Sequence, residues 1–129
     1  MELSVLIIMV ALLQYSWFTL KVGVSRPKFE VTAPNISGEK TWERLFRVQQ
    51  NTLEQLIIYI PSLLAFTYYV SAKWAFIPGV IFIIGRQLYA MAYVNDPSKR
   101  TIGFALTFFS NMALVLITAG FIVGQLLYK

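Results

Sequence analysis

Apolar residues gather along the chain into four runs separated by three polar interruptions. The first, residues 3–20, is broken only by Ser4, Gln14, Ser16 and Thr19, and continues past Lys21 to Val24. At 1.5 Å per residue, about 20 helical residues cross the roughly 30 Å hydrocarbon core of a bilayer, so this run predicts a membrane-crossing helix. A secretory signal would open on basic residues and close on a small-residue cleavage site. Glu2 stands at the start and no such site follows, so the run reads as a retained span.

Residues 25–41 read as a loop, because Pro27 and Pro34 oppose helix and Asn35-Ile36-Ser37-Gly38 is turn chemistry. Residues 42–70 form a second helix, polar for three turns and then apolar. It is longer than a bilayer requires, so its start should project from the membrane or line a protein cavity, and Pro61 should kink it. Ser71-Ala72-Lys73 is a tight connection that makes the second and third helices antiparallel neighbours. The third span covers about residues 74–94, with Pro78 tolerated in its first turns, and Asn95-Asp96-Pro97-Ser98 is a turn. The fourth covers residues 101–127. The expected fold is all-α and integral to a membrane: one domain over residues 1–129, folded as an antiparallel bundle of four transmembrane helices.

Composition supports this and narrows the chemistry. The chain is 57% hydrophobic and 13% charged, against about 25% charged in soluble domains. Cys and His are both absent. That excludes disulfides, thiolate nucleophiles, imidazole bases and the usual zinc, haem and iron–sulfur ligands, and no metal is expected. The net charge of +5 is lopsided. Lys21, Arg26, Lys28, Lys40, Arg44 and Arg47 flank the first loop and Lys99 and Arg100 the third, whereas the other side has Lys73 and Lys129. The positive-inside rule then places both long loops in the cytoplasm. Asn35-Ile36-Ser37 matches a glycosylation pattern but lies on the cytoplasmic side by this topology. No long basic run suggests nucleic acid as a partner.

A charged stripe descends into the second helix. Arg44, Arg47, Asn51 and Glu54 sit at i, i+3, i+7 and i+10 and share a face. In the third helix Arg86 is followed at i+3 and i+7 by Tyr89 and Tyr93. An unpaired Arg in mid-membrane costs about 2.5–3.5 kcal/mol on insertion scales. An internal Arg86–Glu54 ion pair that only fixes packing is one reading. The inventory argues for another, since Arg47, Arg86 and Arg100, with Arg26 nearby, face the single carboxylate of Glu54. Surplus cations in an apolar setting favour an anionic ligand. It would be polyanionic, with a cationic or donor group for Glu54, and bound near the cytoplasmic boundary. Without His, activation of a ligand acid must be electrostatic. Arg100 and the fourth helix's N-terminal dipole favour the ionised form of a ligand thiol or similar group, and lowering a thiol pKa by about two units takes roughly 2.7 kcal/mol. Of the remaining polar and small residues, Asn111 is expected to make an interhelical hydrogen bond, and Gly120 and Gly124 to pack helices closely as a GxxxG pattern.

Glu43-Arg44-x-x-Arg47-x-Gln49-x-Asn51-x-x-Glu54, with Gly85-Arg86-x-Leu88-Tyr89-Ala90-x-x-Tyr93 and Pro97-Ser98-Lys99-Arg100, resembles the MAPEG family, the membrane-associated proteins in eicosanoid and glutathione metabolism. The likeness is nearest to the microsomal glutathione S-transferase type 3 branch. The resemblance implies a homotrimer that binds glutathione between neighbouring subunits. Arg47, Asn51, Glu54, Arg86, Tyr89 and Tyr93 would cradle the tripeptide, with Gln49 and Arg26 as further contacts, and Arg100 would hold and activate the thiolate. Glutathione's two carboxylates, one ammonium and one thiol suit that inventory. Gln55 stands where the leukotriene-forming synthase has Tyr, and Pro27 where it has the second of two paired Arg residues. These departures favour a general transferase or peroxidase acting on lipophilic electrophiles or lipid hydroperoxides. A bacterial inner membrane or an endoplasmic-reticulum-type membrane is the expected location. A non-catalytic lipid-presenting protein on the same scaffold is the alternative. A small four-span transporter is a third reading, against which stands the lack of an acidic residue in the first span after Glu2.

Overall fold

Four helices carry the chain: α1 (Glu2–Ser25), α2 (Lys40–Tyr69), α3 (Phe76–Asn95) and α4 (Thr101–Leu127). The computed structural model describes all of residues 1–129. α1, α3 and α4 are each long and apolar enough to cross a membrane. α2 falls outside that set because the charges of the stripe occupy its first half.

Local chemistry sets the ends of these helices. Glu39 caps α2 by accepting the Trp42 N–H at 3.0 Å, and Glu43 reaches back to the Gly38 N–H at 3.3 Å. The first satisfies a donor that a helix start leaves without a partner, and the second ties the preceding loop to the helix. α2 continues unbroken through Pro61, and the Ser62 hydroxyl donates to the Ile58 carbonyl at 2.6 Å. α3 starts at Phe76 rather than at Trp74, because the Ser71 hydroxyl accepts the Trp74 N–H at 3.1 Å and commits the intervening residues to a turn. Pro78 then falls in the first turn of α3, where a missing N–H costs nothing. Between α3 and α4, Pro97–Lys99 forms a 3₁₀ turn. Asp96 starts it, accepting the Ser98 hydroxyl at 2.8 Å and the Ser98 N–H at 3.1 Å. Those two bonds hold the Asp96 carboxyl below the usual carboxylate range.

The interior is small. Ile7, Ile8 and Ala11 of α1 meet Leu56, Tyr59 and Leu63 of α2, with Phe82 and Leu114 closing the cluster from α3 and α4. Tyr59 stacks on Phe82 at 3.8 Å and donates its hydroxyl to the Gly79 carbonyl at 3.0 Å. The Ser4 and Thr67 hydroxyls bond at 2.7 Å between α1 and α2. Bonds of this kind contribute about 0.6–2 kcal/mol each in a lipid setting. Large apolar residues such as Leu13, Ile57, Ile102 and Phe109 are exposed around the bundle, as suits a surface solvated by acyl chains.

The tightest crossing joins α3 to α4. A Cβ added at Gly103 would collide with the backbone nitrogen of Tyr89 and come within 2.6 Å of its Cα and 2.8 Å of the Gly85 carbonyl oxygen. One added at Gly85 would meet the Leu106 Cβ at 2.9 Å. Gly120 and Gly124, by contrast, have no atom within 4 Å of an added Cβ. The expectation that this GxxxG pair packs helices closely is therefore corrected within the chain. Gly85 and Gly103, one from each helix, make the close approach instead. Asn111 does bridge helices, donating to the Gln55 side-chain oxygen at 3.1 Å.

Candidate functional site

The last turns of α3 present Tyr89 and Tyr93 four residues apart. Their rings stack at 5.4 Å with an 11° interplanar angle. Because Gly103 lets α4 start directly against the Tyr89 backbone, Arg100 and Thr101 come down beside that pair. The polar half of α2 supplies Arg47 and Asn51. Together Arg47, Asn51, Tyr89, Tyr93, Arg100 and Thr101, with Phe104, line a cavity of about 380 Å³, within the roughly 300–1,000 Å³ of small-molecule sites.

The cavity is electrically one-sided. Arg47 and Arg100 line it with exposed side chains. Neither is in an ion pair, since the one salt bridge in the chain joins the N-terminal ammonium to Glu2. No carboxylate is among the lining residues. The start of α4 carries no side-chain cap, so its first N–H groups and its dipole add positive potential at Thr101. Phe104 contributes an apolar wall on the side where α4 faces outward.

Arg86 lies behind this cavity and is completely buried, at 0% exposure. Its Nη1 donates to Asn51 Oδ1 at 2.7 Å and to Thr52 Oγ1 at 3.3 Å, and its Nε to Thr107 Oγ1 at 3.1 Å. The Tyr89 ring covers the guanidinium at 4.4 Å. Nη2 has no partner. The internal Arg86–Glu54 ion pair does not form, and neutral oxygens hold the guanidinium in its place. Three helices are thereby tied at one buried charge.

Three other residues singled out by sequence lie away from the cavity. Glu54 is exposed on α2 beside the equally exposed Leu53. Gln49 turns to α1, donating to Thr19 Oγ1 at 3.2 Å and Tyr15 Oη at 3.5 Å. Arg26 stays with its own loop, donating to the Asn35 carbonyl at 2.8 Å with its guanidinium 4.6 Å over Trp42. Trp42, in the first turn of α2, in turn donates to the Val22 carbonyl at 3.1 Å and ties α2 to α1.

Several neighbours fall outside the site residues expected from the sequence, Arg44 of the α2 stripe among them. Arg44 donates to the Val94 carbonyl at 3.3 Å and to that of Asn95 at 3.5 Å, filling acceptors that the end of α3 leaves open. It also lines a second cavity of about 470 Å³ with Lys40, Glu43 and Pro97, which shares Arg47 and Tyr93 with the first. Thr52 and Thr107 hold Arg86, and Thr101 and Phe104 shape the cavity. A hydroxyl residue in an apolar helix at the level of a buried Arg was the available signal for the first two.

The MAPEG family profile matches residues 4–120, a stretch that contains every residue lining the first cavity. The chain is 38% identical over 107 residues to microsomal glutathione S-transferase 2 of Homo sapiens, covering 81% of this chain and 73% of that protein. It is 41% identical over 110 residues to sll1147 of Synechocystis, an uncharacterised protein, covering 85% of this chain and 80% of that one. Leukotriene C4 synthase of Mus musculus matches at 27% over 92 residues, covering 71% of this chain and 61% of the synthase. The matched human transferase is of type 2, where the expectation from the motifs is the type 3 branch.

Proposed function

This chain belongs to the MAPEG family and is an integral membrane protein, and from that premise we propose that it is a membrane glutathione S-transferase whose co-substrate thiolate is stabilised by Arg100. The observation that carries the reading is the pair of unpartnered guanidiniums, Arg47 and Arg100, on a cavity that holds no carboxylate. Glutathione brings two carboxylates and an acidic thiol, which such a cavity favours in their ionised forms. Arg47 takes a carboxylate. Arg100 and the uncapped N-terminus of α4 sit together, and both favour a thiolate over a thiol.

The reaction needs no general base from the chain. The thiol releases its proton to solvent, the thiolate attacks carbon of a lipophilic electrophile, a C–S bond forms and the leaving group departs with its electron pair. With a lipid hydroperoxide the same thiolate attacks the terminal oxygen and releases an alcohol. A second glutathione then converts the sulfenic product to disulfide and water. Phe104 and the apolar outer face of α4 support delivery of either substrate from the bilayer.

Assembly as a homotrimer with glutathione between subunits belongs to the same proposal, and the outward position of Glu54 supports a site completed across a subunit boundary. Both long loops lie on the cytoplasmic side. Conjugation of a chlorinated nitroaromatic by detergent-purified wild type and Arg100→Ala tests the reading. Each unit of thiol pKa changes the thiolate fraction about tenfold well below the pKa, so a loss of about tenfold or more at neutral pH is expected. Equal rates, or folded wild type without activity, overturn it.

A further inference from the structure

We infer that Arg86 is a positioning residue, one that locks Asn51 with its amide nitrogen toward the cavity and so makes Asn51 a reader of a ligand carboxylate rather than of the ligand ammonium. The inference rests on the glutathione reading above and adds to it the polarity of one contact.

A guanidinium has donors and no acceptor. The Asn51 atom 2.7 Å from Arg86 Nη1 must therefore be the carbonyl oxygen. The surrounding bonds fix the guanidinium in turn. Thr52 gives its hydroxyl proton to the Val48 carbonyl at 2.7 Å, and Thr107 gives its own to the Gly103 carbonyl at 3.0 Å. Each hydroxyl oxygen is thereby left as an acceptor, and Arg86 donates to both. The proton direction is consistent throughout: from Arg86 to the threonine hydroxyls, and from those to the main chain of α2 and α4.

Rotating the Asn51 amide by half a turn would break the 2.7 Å bond and set two donors face to face. Asn51 is therefore held one way round. Its Nδ2 makes no bond within the chain and is not among the enclosed unpartnered atoms, and Asn51 lines the cavity beside Arg47 and Tyr89. A ligand group that meets it must accept a hydrogen bond. An ammonium can only donate and is refused there, whereas a carboxylate beside Arg47 is met by both side chains.

Asn51→Asp is the discriminating variant, because it keeps an oxygen toward Arg86 and replaces only the cavity-facing NH2 by oxygen. Binding to detergent-purified full chain is measured by calorimetry for three peptides: glutathione, glutathione amidated at its C-terminal carboxylate, and the analogue lacking the γ-glutamyl α-carboxylate. Wild type is expected to prefer glutathione over one of the two analogues by about tenfold or more, the strength of one charge-assisted contact. Asn51→Asp is expected to lose that preference selectively, with KM for glutathione raised by a larger factor than kcat is lowered in the conjugation assay. Arg86→Lys, which cannot span Asn51 and Thr107 together, is expected to weaken the same preference. Should Arg86→Lys fail to fold, Asn51→Asp still decides, since it retains Arg86. Equal weakening of all three peptides, or wild-type preference in Asn51→Asp, overturns the inference alone. Binding of no peptide by folded wild type overturns the glutathione reading and the inference with it.

Discussion

At Arg100 the guanidinium is exposed and unpartnered immediately before the first turn of α4, so its field acts on whatever acid the cavity holds. A cation favours the charged form of a thiol and lowers its pKa from the ordinary value of about 8.5. The rate–pH profile of wild type should therefore rise at lower pH than that of Arg100→Ala, the two converging at alkaline pH where free thiol ionises unaided. A stopped-flow titration of thiolate absorbance checks this, and coincident profiles would count against it. Five of the candidate residues, Arg47, Asn51, Tyr89, Tyr93 and Arg100, were legible because helical spacing and a turn bring their faces together. Glu54 shows the limit of that argument. It shares a face with Arg47 and Asn51, yet which neighbour covers a face changes along crossing helices, and periodicity on one helix does not encode the crossing.

The same limit holds for the elements. A GxxxG pattern is visible because both glycines lie on one helix. The crossing that α3 and α4 use takes one glycine from each, and no single-helix pattern marks it. Gly103→Ala pushes a methyl group into the Tyr89 backbone and should destabilise by about 1–3 kcal/mol or more. Gly120→Ala meets open space and should stay within about 0.5 kcal/mol in the isolated chain. Thermal denaturation in detergent separates the two, and a larger effect at Gly120 would instead mark it as a contact between copies. The turn joining these helices has its own pH dependence. Asp96 has a depressed pKa, so its contribution is complete above the ordinary carboxylate range and is lost as pH falls through the depressed value. Hydrogen exchange at the Ser98 amide should accelerate relative to its neighbours below that range, and in Asp96→Ala at every pH.

For the whole molecule, the number of helices and the membrane setting were legible because apolar runs of bilayer length have few other uses. α2 was harder, since its first half carries charge that only a site or solvent can hold. The topology is open to direct measurement because the chain contains no cysteine. A single cysteine at Ile36 should react with an impermeant maleimide from the cytoplasmic side, and one at Lys73 from the opposite side. The reverse pattern would invert the proposed orientation. Mass measurement of the detergent-extracted protein should give three chains per particle.

The bare α-carbon of Gly103 also has a mechanical consequence. Arg100 lies three residues from that contact, about 4.5 Å of helix rise, and Leu127 lies about 36 Å away at the other end of α4. If α4 rocks on α3 about this point, it behaves as a lever of very unequal arms. The far end sweeps about eight times the distance that Arg100 moves. Lipid can jostle the long arm while the short arm hardly stirs.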